Sequence, residues 1–217
     1  MAMSIGSMEE RLGERSNEML GRILQAAREC FSRYGVHRTS MTDVAKAAGV
    51  SRQTLYNTIA GRQELIEAVV VLRVEEMSDE LREVLEGQRS FVDAIVETSL
   101  ASVELARKDP ELTNLVETAT TIRLFEIIAG PFPAIHEAVA RLFRPLFDKA
   151  RKAGELRADV SDDDLVDWIR TVYLSLILRS DLDPDALRRV TRTFLVPSMT
   201  CSPPPPPRPQ AKRRRAR

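Results

Sequence analysis

The stretch that decides the fold runs from Thr39 to Arg62 and reads TSMTDVAKAAGVSRQTLYNTIAGR. Within it, small Ala45 is followed by Gly49, Val50 and Leu55. A small residue lets two helices cross closely, and glycine supplies a turn conformation that a Cβ would penalise. This spacing is typical of a helix-turn-helix motif. For these residues alone, an ordinary helical hairpin remains the alternative.

The second helix of this motif is predicted to expose side chains suited to a nucleic acid. They carry hydrogen-bonding groups of a size that reaches base edges and phosphates. Arg52 and Gln53 open the helix, where side chains meet base edges, so we expect them to specify sequence. Residues further along should mainly position the protein on phosphate. The predicted DNA-binding residues are Thr42, Ser51, Arg52, Gln53, Thr54, Tyr56, Asn57, Thr58 and Arg62.

On both sides of this motif the apolar periodicity is helical, and it predicts an all-α fold of about nine helices. No segment shows the alternation that is typical of a strand. The predicted helices cover residues 17–34, 40–48, 51–58, 62–86, 90–107, 111–128, 132–153, 161–180 and 184–196. The predicted parts are a flexible N-terminus (1–15), a helix-turn-helix domain (16–62), a helical body (63–197) and a disordered tail rich in Pro and Arg (198–217).

The composition is that of an ordinary helical protein with an uneven charge. Of its 217 residues, 43% are hydrophobic and 29% charged, and the net charge is zero. Residues 11–62 carry nine Lys and Arg against four Asp and Glu, which favours a polyanion partner at one end; a chance distribution of charge is the alternative. The two cysteines form no metal or disulfide pattern, and there is no signal peptide or apolar span. We therefore expect a cytoplasmic protein without membrane contact.

The sequence carries no pattern typical of catalysis. A phosphate-binding loop, a dinucleotide fingerprint, a zinc-protease motif and a nucleophile elbow are all missing. Neither histidine, His37 nor His136, follows a glutamate at the spacing of a di-iron site. The expectation is a protein that is not an enzyme, with no cofactor and no metal site.

The run AARECFSRYGVHRTSMTDVAKAAGVSRQTLYNTIAGRQELIEAVV resembles the DNA-binding domain of TetR-family transcriptional regulators. Thr58 and Ile59 depart from the family pattern, in which a Tyr or His and a Phe are usual, and Arg62 replaces the usual Lys. The matching residues are Ala27, Phe31, Gly35, Thr39, Ser40, Asp43, Val44, Ala45, Ala48, Gly49, Val50, Ser51, Leu55, Tyr56 and Leu65.

The resemblance implies a repressor-like regulator that binds a palindromic operator on double-stranded DNA as a homodimer and is released by a small-molecule effector. The body would hold the effector, and the last two predicted helices would form a four-helix dimer interface. A rival hypothesis, motivated by Thr58 and Ile59, is an all-α dimeric interaction protein that has lost sequence-specific DNA binding. The sequence specifies neither the effector, nor the operator, nor whether the regulator represses or activates, nor the role of the tail.

Two further sets of residues are predicted from helix position. No charged residue stands out within an apolar face, which favours a lipophilic effector. The expected pocket residues are Phe91, Leu124, Phe125, Ile128, Phe132, His136 and, as a second choice after core or interface, Trp168. The expected dimer-interface residues are Val166, Ile169, Val172, Tyr173, Leu176, Ile177, Leu187, Val190 and Phe194.

Overall fold

The computed structural model describes the backbone of residues 5–110 and 126–201, with side chains from residue 16 onward. Within these ranges the chain forms α-helices and no strand; the one β-bridge joins Leu156 to Thr200. The helices are α1 (Ile5–Tyr34), α2 (Met41–Ala47), α3 (Arg52–Thr58), α4 (Arg62–Glu86), α5 (Phe91–Lys108), α6 (Pro133–Lys152), α7 (Asp162–Ile177), α8 (Pro184–Val190) and, after a π-helical segment (Thr191–Leu195), α9 (Val196–Met199). The all-α prediction is confirmed.

The helix boundaries agree with the predicted ones except near the chain ends. α1 begins at Ile5 rather than at residue 17, because residues 5–16 are rich in Glu and Arg, which favour a helix without an apolar stripe. The π-helical segment interrupts the helix predicted over 184–196, and nothing in the sequence marks it. The helix predicted over 111–128 lies mostly outside the described residues; residues 126–129 are helical.

Residues 198–201, which the sequence assigns to the tail, are part of the described fold. Met199 is fully buried, and the backbone N–H of Cys201 donates to the carbonyl of Glu155 at 3.0 Å, so residues 198–201 pack on the body. Residues 202–217 lie outside the described part of the chain.

Two large apolar cores hold the helices together. The first core joins α1–α4 and continues into the body through Met77, Ala106, Ile127 and Ile135. The second core packs the C-terminal half of α4 against α5, α6, α7 and α9, around the stacked rings of Phe143 and Phe147. The first core therefore crosses the boundary that the sequence predicts between the helix-turn-helix domain and the body.

None of the described helices is both long and apolar enough to cross a bilayer.

Candidate DNA-binding surface and ligand cavity

The turn between α2 and α3 is specified by local hydrogen bonds and by one glycine. Ser40 and Asp43 form a capping box at the start of α2, and Ser51 caps α3 by accepting from the Thr54 N–H. Gly49 has a φ of +67°, in the left-handed region where side chains with a Cβ are strained. No atom lies where its Cβ would point, so the backbone conformation alone requires glycine here.

The inner face of the motif is apolar and closed. Val44 and Leu55 are fully buried, Ala45 is nearly so, and Ala48 and Val50 pack beside them in the first core. These side chains form an apolar wedge that fixes α3 against α2.

The outer face of α3 is polar and exposed. Arg52, Gln53, Tyr56 and Asn57 all point to solvent, as does Thr42 at the start of α2. The Nε2 of Gln53 donates to the Oδ1 of Asn57 at 2.9 Å. This bond leaves the Gln53 carbonyl oxygen, one Gln53 N–H and the Asn57 amide group available to a partner.

Three of the predicted contact residues also stabilise the helix itself. The Ser51 hydroxyl accepts from the Thr54 N–H at 3.0 Å and lies 2.8 Å from the Thr54 hydroxyl. The half-buried Thr58 hydroxyl donates to the Thr54 carbonyl at 3.0 Å and lies 3.9 Å from the Met19 sulfur. Whether Ser51, Thr54 or Thr58 also contacts phosphate stays a prediction.

Arg62, which the sequence predicts as a phosphate ligand, makes contacts within the protein, and its contact with phosphate stays a prediction. Its two terminal nitrogens donate to the carbonyls of Thr39 and Val36 in the connection between α1 and α2. The Thr39 hydroxyl is bonded there too, to the carbonyls of Cys30 and Gly35. The half-buried guanidinium therefore fastens the start of α4 to the helix-turn-helix. Sequence spacing gives no sign of these contacts, because they join residues more than twenty positions apart.

A cavity of about 420 Å³ lies in the body between α4, α5, α6 and α7. This volume is within the range of roughly 300–1,000 Å³ that is usual for small-molecule sites. Most of the lining is aliphatic or aromatic. Its described lining residues are Val74, Met77, Ser78, Leu81, Ser102, Ala106, Arg107, Ile128, Ile135, Val139, Leu142, Phe143, Ile169, Arg170, Tyr173, Leu174, Ile177 and Leu178.

Of the residues predicted for the pocket, Ile128 lines this cavity and four others do not. Phe91 is buried in the second core, and Phe132 packs against the first. Trp168 lies on the surface, 44% exposed, with its indole N–H donating to the Ser198 hydroxyl at 2.8 Å. His136 lies between two carboxylates, with Nδ1 2.9 Å from Asp167 and Nε2 3.3 Å from Asp163. The remaining two, Leu124 and Phe125, lie outside the described residues.

The hydroxyl groups of the cavity donate to the chain's own carbonyls. Ser78 donates to Val74 at 2.8 Å, and Ser102 to Thr98 at 2.7 Å. Tyr173 donates to the Ile95 carbonyl at 3.2 Å. Burial raises the pKa of Tyr173 above its usual range, so this phenol stays neutral.

The two arginines of the lining are also bonded to the protein. Arg170 is 4% exposed; its Nε and one terminal nitrogen donate to the Ile128 carbonyl at 3.0 and 2.7 Å, and that nitrogen also donates to Gly130 at 2.8 Å. Its other terminal nitrogen pairs with Asp167 at 2.7 Å. Arg107 is exposed and donates to the carbonyls of Arg179 and Leu182 at 2.6 and 3.1 Å.

Most residues predicted for the dimer interface are instead covered by their own chain. Five of them already pack within one chain and are buried there, and their part in an interface stays a prediction: Val166, Ile169, Tyr173, Leu176 and Leu187. Three of the α7 residues, Ile169, Tyr173 and Ile177, line the cavity. α7 is apolar on more than one face, and periodicity does not tell a face that packs within the chain from one that binds a partner.

Phe194 is the predicted interface residue that the structure leaves exposed, at 70%. Val172 and Val190 are half-buried. Trp168 contacts Ser198, one helical turn beyond Phe194, so two large aromatic side chains are exposed on the same part of the body. These exposed residues mark the surface on which a partner would gain most from burial.

Among the described residues no group of His, Cys, Asp and Glu is arranged to hold a metal ion. The acidic run at the start of α7 has a structural role, because Ser161 and Asp164 form a capping box there. The sequence prediction missed several residues of the cavity lining, because each also fits an ordinary amphipathic helix. They are Arg107, Met77 and the cavity-facing residues of α6.

Comparisons with known proteins agree with this geometry. Residues 23–69 match the family described as bacterial regulatory proteins, tetR family. Over 142 residues the chain is 30% identical to the HTH-type transcriptional regulator UidR of Escherichia coli, covering 64% of this chain and 70% of UidR. It is 31% identical over 91 residues to the uncharacterized HTH-type transcriptional regulator YhgD of Bacillus subtilis, covering 42% of this chain and 47% of YhgD.

Solved structures show the same fold at lower identity. The TetR family repressor AlkX of Dietzia superposes with a TM-score of 0.61 at 24% identity, covering 82% of this chain and 92% of AlkX. RolR in complex with resorcinol superposes with a TM-score of 0.66 at 14% identity, covering 86% of this chain and 90% of RolR.

The fold and the helix-turn-helix define a DNA-binding transcriptional regulator. More specifically, the chain belongs to the TetR family, a family of regulators and not of enzymes.

Proposed function

We propose that this regulator is a repressor that binds a palindromic operator as a homodimer and is released by a lipophilic small molecule. In this proposal residues 16–62 bind DNA, and residues 63–197 bind the effector and form the dimer. The observation that carries it is the two-sided α3, with a closed apolar inner face and an exposed polar outer face.

The exposed face of α3 supports a division of roles among its side chains. Arg52 and Gln53 lie in its first turn, where side chains of a recognition helix reach base edges. Tyr56 and Asn57 follow and position the protein on phosphate, with Thr42 adding a contact from α2. In a homodimer, two such helices read half-sites that are one turn of DNA apart, about 34–36 Å.

The exposed aromatic side chains support dimerisation through the C-terminal part of the body. Phe194 and Trp168 are two of the five large hydrophobic residues that the described chain exposes, and Leu178 at the end of α7 is a third. A second copy that covers Phe194 and its half-buried neighbour Val190 removes this apolar surface from water.

The cavity supports a lipophilic effector. Its lining is mostly apolar, and its buried polar groups donate to the chain's own carbonyls. A strongly polar ligand would therefore lose its water without gaining enough hydrogen bonds in return. An apolar ligand needs no hydrogen bond from the lining.

The first experiment selects genomic fragments that the protein binds, and footprints the enriched ones. The proposal expects a palindrome whose half-site centres are one helical turn apart, and repression of transcription from the neighbouring promoter in a purified system. Failure to enrich any fragment at low salt would support the rival, an all-α interaction protein without sequence-specific DNA binding.

A second experiment tests the cavity by filling it. Ala106 lines the cavity on α5, so Ala106→Leu should reduce the cavity volume and raise the concentration of neutral lipophile needed for release, with each variant measured against its own operator affinity without ligand. Ala101→Leu makes the same change on α5 away from the cavity and is the matched control. If the same ligand concentration releases both variants from the operator, the effector binds elsewhere.

A further inference from the structure

The charges around the cavity are of one sign. Two arginines, Arg107 and Arg170, belong to the described lining, and none of the described lining residues is acidic. Arg170 is neutralised by Asp167, and its other donors reach backbone carbonyls. The positive charge of Arg170 is therefore already satisfied within the protein.

Arg107 is different, because both of its hydrogen-bond acceptors are neutral carbonyls. It lies in the last turn of α5 and donates to the carbonyls of Arg179 and Leu182. On that loop Arg179, helped by the charge of Arg107, lowers the pKa of Asp181, but both oxygens of Asp181 are held by Arg179, at 2.6 and 2.7 Å. Arg107 thus brings to the cavity a positive charge that no carboxylate of the described chain pairs within 4 Å.

The position of Arg107 also leaves it free to exchange partners. Its side chain is exposed, and so are its two hydrogen bonds, so water or a ligand can replace either carbonyl at little cost. The adjacent lining is apolar, from Ala106 beside it to Ile177 and Leu178 on α7. A guanidinium beside an apolar cavity is complementary to a molecule with an apolar body and an anionic end.

We propose that the effector is an amphipathic acid, whose apolar body fills the cavity and whose carboxylate binds Arg107. The proposal rests on the proposed role of the cavity as the effector site, and it narrows the lipophilic class to lipophilic anions. Arg107 contributes to this specificity through charge and through its fork of donors, which matches the two oxygens of a carboxylate.

The test uses three ligands with the same ten-carbon chain and different end groups: decanoate, decan-1-ol and decyltrimethylammonium. Each displaces the neutral fluorescent probe N-phenyl-1-naphthylamine from the full-length protein, which gives a dissociation constant for each. The readout is the ratio of the dissociation constants of decanoate and decanol, because this ratio cancels the contribution of the chain. We expect Arg107→Gln to raise the ratio about two- to fivefold, the size of one exposed charge pair.

Two further variants separate a direct contact from other effects. Lys108→Gln removes the same charge from the next residue, which pairs with Glu104 and does not line the cavity, so its ratio should match wild type. Arg107→Lys keeps the charge and should recover part of the preference for decanoate. A decanol affinity that Arg107→Gln leaves unchanged shows that the cavity is intact.

The outcomes distinguish this inference from the function on which it rests. Suppose that decanol and decanoate both displace the probe and that the ratio is the same in wild type and Arg107→Gln. The cavity then binds lipophiles, but the proposal that the effector has an anionic end bound by Arg107 is refuted. The inference also fails if Lys108→Gln changes the ratio as much as Arg107→Gln. If none of the three chains displaces the probe, the lipophilic effector itself is refuted.

Discussion

Replacing Arg62 by alanine should destabilise the protein rather than remove a single phosphate contact. The guanidinium donates to the carbonyls of Val36 and Thr39, and these bonds fasten the first residue of α4 to the connection between α1 and α2. In Arg62→Ala both carbonyls lose a charged donor, and the helix-turn-helix loses one of its attachments to the body.

The size of the effect follows from the burial of these groups. A hydrogen bond from a charged donor contributes about 1.5–3 kcal/mol when its partner is left unpaired in a buried site. Arg62 is only half-buried, so water will satisfy part of what it leaves. We therefore expect a total loss of about 2–3 kcal/mol, a large fraction of a typical free energy of unfolding of about 5–15 kcal/mol.

Urea unfolding at a fixed protein concentration measures this loss. We expect the midpoint of unfolding to fall by roughly 1 M urea relative to wild type. Arg62→Lys keeps the positive charge but not the fork, so it should lose most of the same stability. Arg52→Ala removes an exposed arginine from α3 and should leave the midpoint unchanged. The reasoning is refuted if Arg62→Ala unfolds at the wild-type urea concentration while its binding to operator and random DNA falls equally, with a salt slope lower by about one.

Three further predictions test the surfaces of the protein. Gln53→Ala should cost about 1–3 kcal/mol of binding free energy on the operator and little on random DNA. An equal loss on both DNAs would mean that Gln53 positions the protein and does not read the sequence. Asn57→Ala should lower operator affinity less than Gln53→Ala does. Phe194→Ser should yield a folded monomer by light scattering, since the exposed ring adds little to the fold of one chain; an unchanged dimer would move the interface elsewhere. Burial raises the pKa of the Cys30 thiol while Cys201 is exposed, so a thiol reagent should titrate one cysteine in the native protein and two in urea.

The helix-turn-helix could be predicted from the sequence because its determinants are local. The capping box of Ser40 and Asp43, the cap at Ser51 and the left-handed Gly49 all act within a few residues, so their spacing carries the information. The same holds for α4, whose start and end agree with its apolar repeat.

The cavity and the interface could not be separated in the same way. α7 is apolar on several faces, and only packing decides that Tyr173 lines the cavity while Leu176 packs on Val103 and Leu187 in a small third core. Arg62 is a similar case, because its partners are close in space and distant in sequence.

The arrangement of the cores shows why a ligand in the body would act on the DNA-binding helices. Met77, Ala106 and Ile135 line the cavity and also belong to the first core, on which α1 packs. A second link crosses the same boundary: Arg28 of α1 binds both oxygens of Glu76 on α4, at 2.6 and 3.0 Å. Because packed cores shift between discrete arrangements rather than deform continuously, we propose that a ligand that displaces the cavity wall also changes the packing of α1. In this proposal the cavity and the DNA-binding helices are coupled through the apolar core to which both belong.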